Sequence, residues 1–274
     1  MPKTIDLAKK VLLSHKVKRF IDLNTDLGQS RDLAFFKKTN YELLNHVTSV
    51  SIPCAVHDGE PLDLLEAIRQ AKRFNCAVGA HIGYPDPARN GYEAMTISEE
   101  ALTAWIFLQM GAFQGLLRSE GLDIEHVRPH GALYTAFLNN PEVALTVAKA
   151  LHKINPWMVL MGPAGPILDQ IEKEVGLRTA PEIYLGKRYD SEGKLSMNRL
   201  HEFLSPQAVI DQARQLIQQS SLTAEDGKTV PVKLKTIHIS PVLPQNVDVA
   251  ERLGQMLVQP VSLPLADIGA SGWL

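Results

Sequence analysis

The chain has 274 residues, of which 45% are hydrophobic and 21% charged, with 28 basic and 30 acidic side chains. Such a length can bury a sizeable core in one large domain, here taken as residues 1–274. The near-cancelling charge, with no block of one sign, gives no footprint for nucleic acid or an anionic membrane. No apolar run approaches the roughly 18 residues of a membrane span. Two cysteines, Cys54 and Cys76, are too few for a disulfide scaffold and fit a reducing, cytoplasmic interior.

In chain order, Ile5, Leu7, Ala8, Val11 and Leu12 recur at helical spacing, but charges interrupt them too often for a secretion signal. Val17 to Leu23 and Val47 to Pro53 read as strands. Pro61 opens a helix, a favoured first-turn position, with Leu62, Leu65, Ala67, Ile68 and Ala71 as its buried face. Cys76 to Ala80 is a third strand. Thr96 and Glu99 have capping-box spacing ahead of a helix that runs to about Leu117.

Ile124 to Arg128 is a fourth strand and Pro141 to about His152 a helix. Trp157 to Met161 is a fifth strand, after which Gly162 to Pro166 leads into a helix near Ile167. Thr179 to Leu185, a helix from Ser205-Pro206, Val232 to Ile239 and a helix from Gln245 to Leu257 complete the pattern. Tyr189 to Leu204 is polar and irregular, the candidate long loop or lid.

The β-then-α rhythm predicts a mainly parallel sheet flanked by helices. About seven strands suit either a closed barrel or an open doubly wound sheet. The barrel is the expectation, because side chains from the first four strands converge most easily around a closed rim.

Four runs at strand ends carry the chemistry: Ile21 to Gly28, Cys54 to Gly59, Gly79 to Asp86 and Arg128 to Tyr134. Asp22, Asn24 and Asp26 alternate, so they share one face of their strand. Three inward polar groups are costly without partners or function, although Asn24 and Asp26 also suit a turn before Gly28. His57, His81 and His130 follow three different strands. They and a carboxylate could bind a divalent ion, or polarise an amide and shuttle protons; spacing does not choose. A Cys54–His57 thiolate pair is the weaker reading, since Cys54 closes an apolar run. Neither Gly28 nor Gly162 to Gly165 forms a phosphate-cradling loop.

At these four runs the chain resembles the LamB/YcsF family, whose members read roughly IDLNxDLGE, NIACGFHAGD, GAHPGYPD and KPHGALY. The counterparts are Ile21 to Gln29, Ser51 to Glu60, Gly79 to Asp86 and Arg128 to Tyr134, in the same order; Gln109 to Phe113 resembles the family's YQIGAL segment. The resemblance covers about residues 18 to 257 and leaves an N-terminal extension, residues 1–17. It implies an α/β fold, a seven-stranded β/α barrel similar to glycoside hydrolase and deacetylase barrels. It implies a lactam hydrolase like the ring-opening subunit of ATP-dependent 5-oxoprolinase, with ATP used through partner subunits that phosphorylate the lactam oxygen.

On this resemblance the catalytic set is Asp22, Asn24, Asp26, His57, His81 and His130, and the substrate-binding set Arg128, Tyr134, Lys187 and His238. A divalent metal, if present, would sit on His57, His81 and His130 with Asp22 or Asp26. The catalytic set is expected to line one pocket. The chain departs from the family at Gln29, where the family has glutamate, and at His57-Asp58-Gly59-Glu60. FADRxY is replaced by Tyr184 to Tyr189, with Gly186 for the aspartate, and CxHGD by Thr236 to Ser240. Two other functions are therefore weighed: a stand-alone metal-dependent amidase or deacetylase, and a catalytically silent paralogue that binds partner subunits.

Overall fold

A computed structural model describes residues 21–29, 41–196, 199, 202–242 and 246–257. The amphipathic N-terminal stretch and the first part of the strand expected over Val17 to Leu23 lie outside the described residues. Seven parallel strands close into a barrel: β1 (Asp22–Asp26), β2 (Ser49–Pro53), β3 (Ala77–Ile82), β4 (His126–Pro129), β5 (Val159–Pro163), β6 (Arg178–Tyr184) and, after a short hairpin, β9 (Thr236–His238). β9 pairs with both β6 and β1, through Glu182 opposite Thr236 and Asn24 opposite His238, and that double pairing closes the cylinder. All strand carboxyl ends therefore meet at one mouth.

Helices α1 (Pro61–Arg73), α2 (Glu99–Ser119), α3 (Gly131–Asn139), α4 (Pro141–Ile154), α5 (Pro166–Val175), α6 (Pro206–Gln219) and α7 (Asn246–Leu257) follow the strands. The main core contains outward-facing strand residues such as Leu23, Val50, Ile52, Val78, Ile82 and Val127 together with buried helix residues such as Leu64, Ile106, Phe113 and Val147. Inside the barrel an apolar patch holds Val159, Met161 and Ala180. Polar side chains of β1, β2, β4, β6 and β9 occupy much of the rest of the interior. None of the described helices is long and apolar enough to cross a membrane.

Several expectations are corrected in detail. The buried face of α1 is Leu64, Ala67, Ile68 and Ala71; Leu62 is 81% exposed and Leu65 only half-buried. Ser98, not Thr96, caps α2 by accepting from the Ala101 N–H at 3.2 Å. A helix directly after His130 escaped the pattern: α3 ends at Asn139, and Asn140 starts α4 afresh by accepting from Glu142 N–H at 3.0 Å. The predicted strand Val232 to Ile239 shortens to β9. Ahead of it, β7 (Ser221–Thr223) and β8 (Thr229–Pro231) form an antiparallel hairpin outside the barrel.

Candidate active site at the barrel mouth

β1 places Asp22, Asn24 and Asp26 on the inner face, as their alternation requires, but on three successive tiers. Asp26 is at the mouth, and Asp22 is about 13 Å deeper at the usual rise per residue. Asp22 accepts hydrogen bonds from Thr48 Oγ1 (2.6 Å), Ser49 Oγ (2.9 Å) and Thr236 Oγ1 (2.6 Å). Burial raises its pKa and the three hydroxyls oppose that shift. Asn24, in the middle tier, donates to Thr236 Oγ1 (2.5 Å) and Glu182 Oε2 (3.3 Å) and accepts from His238 Nδ1 (2.6 Å).

The top tier is a charged cluster. Arg128 donates through Nε to Glu182 Oε2 (2.7 Å) and through Nη2 to Glu182 Oε1 (3.0 Å), and its Nη1 donates to Asp26 Oδ1 (3.0 Å). Tyr134 adds its hydroxyl to Glu182 Oε1 at 3.0 Å. Burial alone would lower Arg128, but the two carboxylates carry its pKa upward. Burial raises Asp26 to about 6, with Arg128 pulling the other way.

Three imidazoles flank this cluster. His81 donates from Nδ1 to the Arg128 carbonyl (3.1 Å), and His130 from Nε2 to the Asn90 carbonyl (2.8 Å). The remaining nitrogens, His81 Nε2 and His130 Nδ1, face each other at 2.9 Å. His57 stacks on His130 with ring centres 4.5 Å apart and planes 16° apart. Burial pushes His57 down to about 4, against a smaller effect of Gln109. Gly91 makes this packing possible: its φ is +76°, and a Cβ there would lie 2.9 Å from His130 Cδ2 and 3.0 Å from His57 Cβ.

A cavity of about 720 Å³ opens above the cluster, and its walls include Asp26, His81, Arg128, His130, Tyr134 and Lys187. Six of the ten sequence-predicted site residues thus share one pocket. Asp22, Asn24, His57 and His238 do not line it, which corrects the expectation that the whole catalytic set would. Period two assigns a face but not a depth, so Asp22 falls in the lowest tier. Asn24 and His238 support the cavity floor, where His238 Nε2 is 3.6 Å from Asp26 Oδ2. His57 supports the wall through His130. Cys54 is buried and burial raises its thiol pKa, so a resting thiolate is disfavoured.

The metal reading does not fit these residues. The guanidinium of Arg128 occupies the space where an ion between Asp26 and His81 would sit, 3.0 Å from Asp26 Oδ1 and 3.4 Å from His81 Nε2. The His57 ring lies face to face with His130, with planes 16° apart. Among the described residues no three His, Cys, Asp or Glu side chains form a group that could hold an ion.

At the family departures the backbone compensates in part. Gly186 takes φ +81°, a conformation in which the family's aspartate would be strained. Its N–H donates to Gln212 Oε1 (2.8 Å), whose amide donates to the Lys187 carbonyl (2.9 Å). That turn aims Lys187 into the cavity, so a cation stands where the family has arginine. Arg188 points outward, 3.5 Å from Glu202. Ser240, at the family's second aspartate, lies on the cavity wall, and Gln29 is half-buried. Leu195 and Phe203 from the irregular Tyr189 to Leu204 stretch form another part of that wall.

Glu182 was missed from the sequence. Its signal was a lone charge inside an apolar strand, in phase with inward Ala180. Such a charge is rare without a partner, but nothing local names Arg128 as that partner.

The barrel mouth thus gathers a carboxylate, an arginine and paired imidazoles, side chains able to exchange protons and bind an anionic or polar ligand. Residues 21–262 match the LamB/YcsF family, and the chain belongs to it. It is 32% identical over 246 residues to an A-type 5-oxoprolinase subunit of Pseudomonas syringae pv. tomato, covering 88% of this chain and 94% of that protein. It is 33% identical to the A-type 5-oxoprolinase subunit of Geobacillus kaustophilus, covering 87% and 93%. Among solved structures it is similar to the lactam utilization protein of Thermus thermophilus. There the TM-score is 0.81 at 30% identity, covering 90% of this chain and 99% of that one.

Proposed function

We propose that this chain is a lactam hydrolase, the ring-opening subunit of a 5-oxoprolinase-type enzyme whose partner subunits use ATP to activate the lactam. The observation that carries the reading is the convergence of Asp26, His81, Arg128 and His130 on one cavity at the strands' carboxyl ends. The names of its relatives, each one subunit of a 5-oxoprolinase, support partners of that kind.

Hydrolysis adds water across the ring amide: a C–O bond forms, the C–N bond breaks, and the nitrogen takes a proton. Asp26, raised to about 6 by burial, has the affinity of a base working near neutral pH. Lys187 would hold the substrate's carboxylate. Burial lowers Lys187 only to about 8, so it remains mostly charged at pH 7. The imidazole pair would supply the proton for the departing nitrogen.

Acid and base groups typically contribute about 10²- to 10⁴-fold each, short of the roughly 10⁶-fold or more that enzymes reach overall. Activation by the partners fills that gap. The test is an assay of 5-oxoproline opening with ATP, with and without partner subunits. Opening only with both is the expected result. Rapid ATP-independent turnover by the isolated chain would instead support a stand-alone amidase. Association with partners but no turnover would support a silent paralogue, in line with Gln29, Gly186 and Ser240.

A further inference from the structure

We infer that the site takes a lactam acid larger than 5-oxoproline, one whose ring carbons carry an aryl or branched-alkyl substituent seated against a wall of Tyr92, Met95, Ala136, Phe203 and Val242. What happens to the lactam rests on the ring-opening reading; the wall and its affinity for an apolar group do not.

Size is the first observation. The cavity of about 720 Å³ lies within the roughly 300–1,000 Å³ of pockets that enclose drug-sized ligands. At about 30 Å³ for each water in the liquid, it has room for roughly two dozen. 5-Oxoproline, a single five-membered ring with one carboxylate, leaves much of that space unfilled.

The cavity is also divided by chemistry. Its floor is polar, with Asp26, His81 and Arg128. Its outer wall is apolar and comes from four segments. Tyr92 and Met95 belong to the loop after β3, Ala136 to α3, Phe203 to the stretch after β6 and Val242 to the one after β9. Tyr92, Met95 and Val242 are three of the eight large apolar side chains exposed among the described residues. Exposed hydrophobes scattered singly need no explanation, whereas several gathered around one polar floor mark a binding surface.

Local contacts hold this wall in place. The Tyr92 ring meets His130 edge to face, with ring centres 4.8 Å apart. Beside it the Gly91 carbonyl accepts from the Ala132 N–H (2.9 Å), and Asp86 Oδ2 accepts from the Glu93 N–H (3.1 Å). Across the cavity, Lys187 Nζ lies 3.2 Å from the centre of the Phe203 ring and 5.6 Å from that of Tyr184, a cation–π arrangement. The lysine that would take the carboxylate therefore abuts the ring that begins the apolar wall.

The substrate's own groups decide where the substituent goes. Asp26 and the imidazoles engage the ring amide, and Lys187 the carboxylate. Only the two methylene carbons of the ring remain to face the wall. A substituent on either removes its own apolar surface and that of Met95 and Val242 from water.

The test compares 5-oxoproline with the same acid carrying a phenyl group on the ring carbon next to the lactam carbonyl, taken as its best-bound stereoisomer. Calorimetry on the full chain should show the phenyl compound binding at least about tenfold more tightly, within the worth of burying part of an aromatic ring. With partner subunits and ATP, kcat/KM should favour it by a similar factor. The double variant Met95→Ser with Val242→Ser, both at the exposed rim, should bring the ratio of the two affinities back toward one. The inference fails if the phenyl compound binds no better than 5-oxoproline, including the case in which neither binds, or if the double variant keeps the full preference. It fails equally if a preference shown by the isolated chain disappears in the assembled complex, because the wall then belongs to a partner subunit. Preferential binding with no turnover of either lactam by the complex would overturn the ring-opening reading and leave the wall its ligand class. Turnover of 5-oxoproline with no preference would overturn the inference alone.

Discussion

Glu182 on β6 and Arg128 on β4 are locked in a bidentate pair, with Nε–Oε2 at 2.7 Å and Nη2–Oε1 at 3.0 Å, both side chains buried inside the barrel. Removing one member of such a pair typically costs about 3–5 kcal/mol, because the other charge stays buried and uncompensated. Glu182→Leu is therefore expected to destabilise the fold by that amount. Arg128 keeps Asp26 as a partner in that variant, whereas the double variant Glu182→Leu with Arg128→Met leaves Asp26 without its guanidinium and should recover only part of the loss. Urea unfolding of the wild type and both variants measures this; a double variant no better than the single one would show that the pair itself, not the orphaned charge, stabilises the barrel.

Asp22 holds three hydroxyls of β1's neighbours and does not reach the cavity. Asp22→Ala should cost about 1–3 kcal/mol for each hydroxyl left without an acceptor. Turnover per folded molecule should not change. A fall in kcat with unchanged unfolding behaviour would return Asp22 to the catalytic set.

Asp26→Asn keeps the size of the side chain and its contact with Arg128 but removes the base. Assayed with partner subunits and ATP, it should lose at least about 10²-fold in kcat, within the usual worth of a general base. His130→Ala should lose a comparable factor. Both residues lie at the cavity, not on the outer helices, so co-purification with the partners should survive both changes.

Lys187 reaches the cavity through the turn pinned by Gln212. If it binds the substrate carboxylate, Lys187→Met should raise KM for 5-oxoproline at least about tenfold, the effect of losing about 1.4 kcal/mol. The same change should leave KM for a lactam without a carboxylate nearly unaltered. Equal effects on both substrates would make Lys187 a structural part of the wall.

Acid sensitivity offers a separate check. Burial pushes His126 from its ordinary 6.5 to about 3, so below pH 6.5 the unfolded chain binds a proton at this site that the folded chain refuses. Its contribution to stability is complete above the unfolded value and is lost as pH falls toward about 3. The raised carboxyls of Asp22 and Asp26 act in the opposite sense, so the total slope is a sum. His126→Gln isolates one member: between about pH 6 and 4, wild type should lose about 1.4 kcal/mol per pH unit relative to the variant. Parallel unfolding midpoints for the two proteins across that range would mean that His126 is solvated or hydrogen-bonded well enough to titrate normally.

Much of this site was readable along the chain. Alternation in β1 determines that Asp22, Asn24 and Asp26 face inward, and β-then-α order determines that strand ends share a rim, which is why Asp26, His81 and His130 meet. Tertiary structure decided the depth of each group. Register and the tilt of strands around the barrel set that depth, and neither is encoded in a local period. They put Asp22 beyond reach and Asp26 at the surface of the cavity. They also paired Glu182 with Arg128 across 54 residues of sequence and turned His81 and His130 to face each other. A buried charge must find its partner in space, and only the closed barrel says which partner that is.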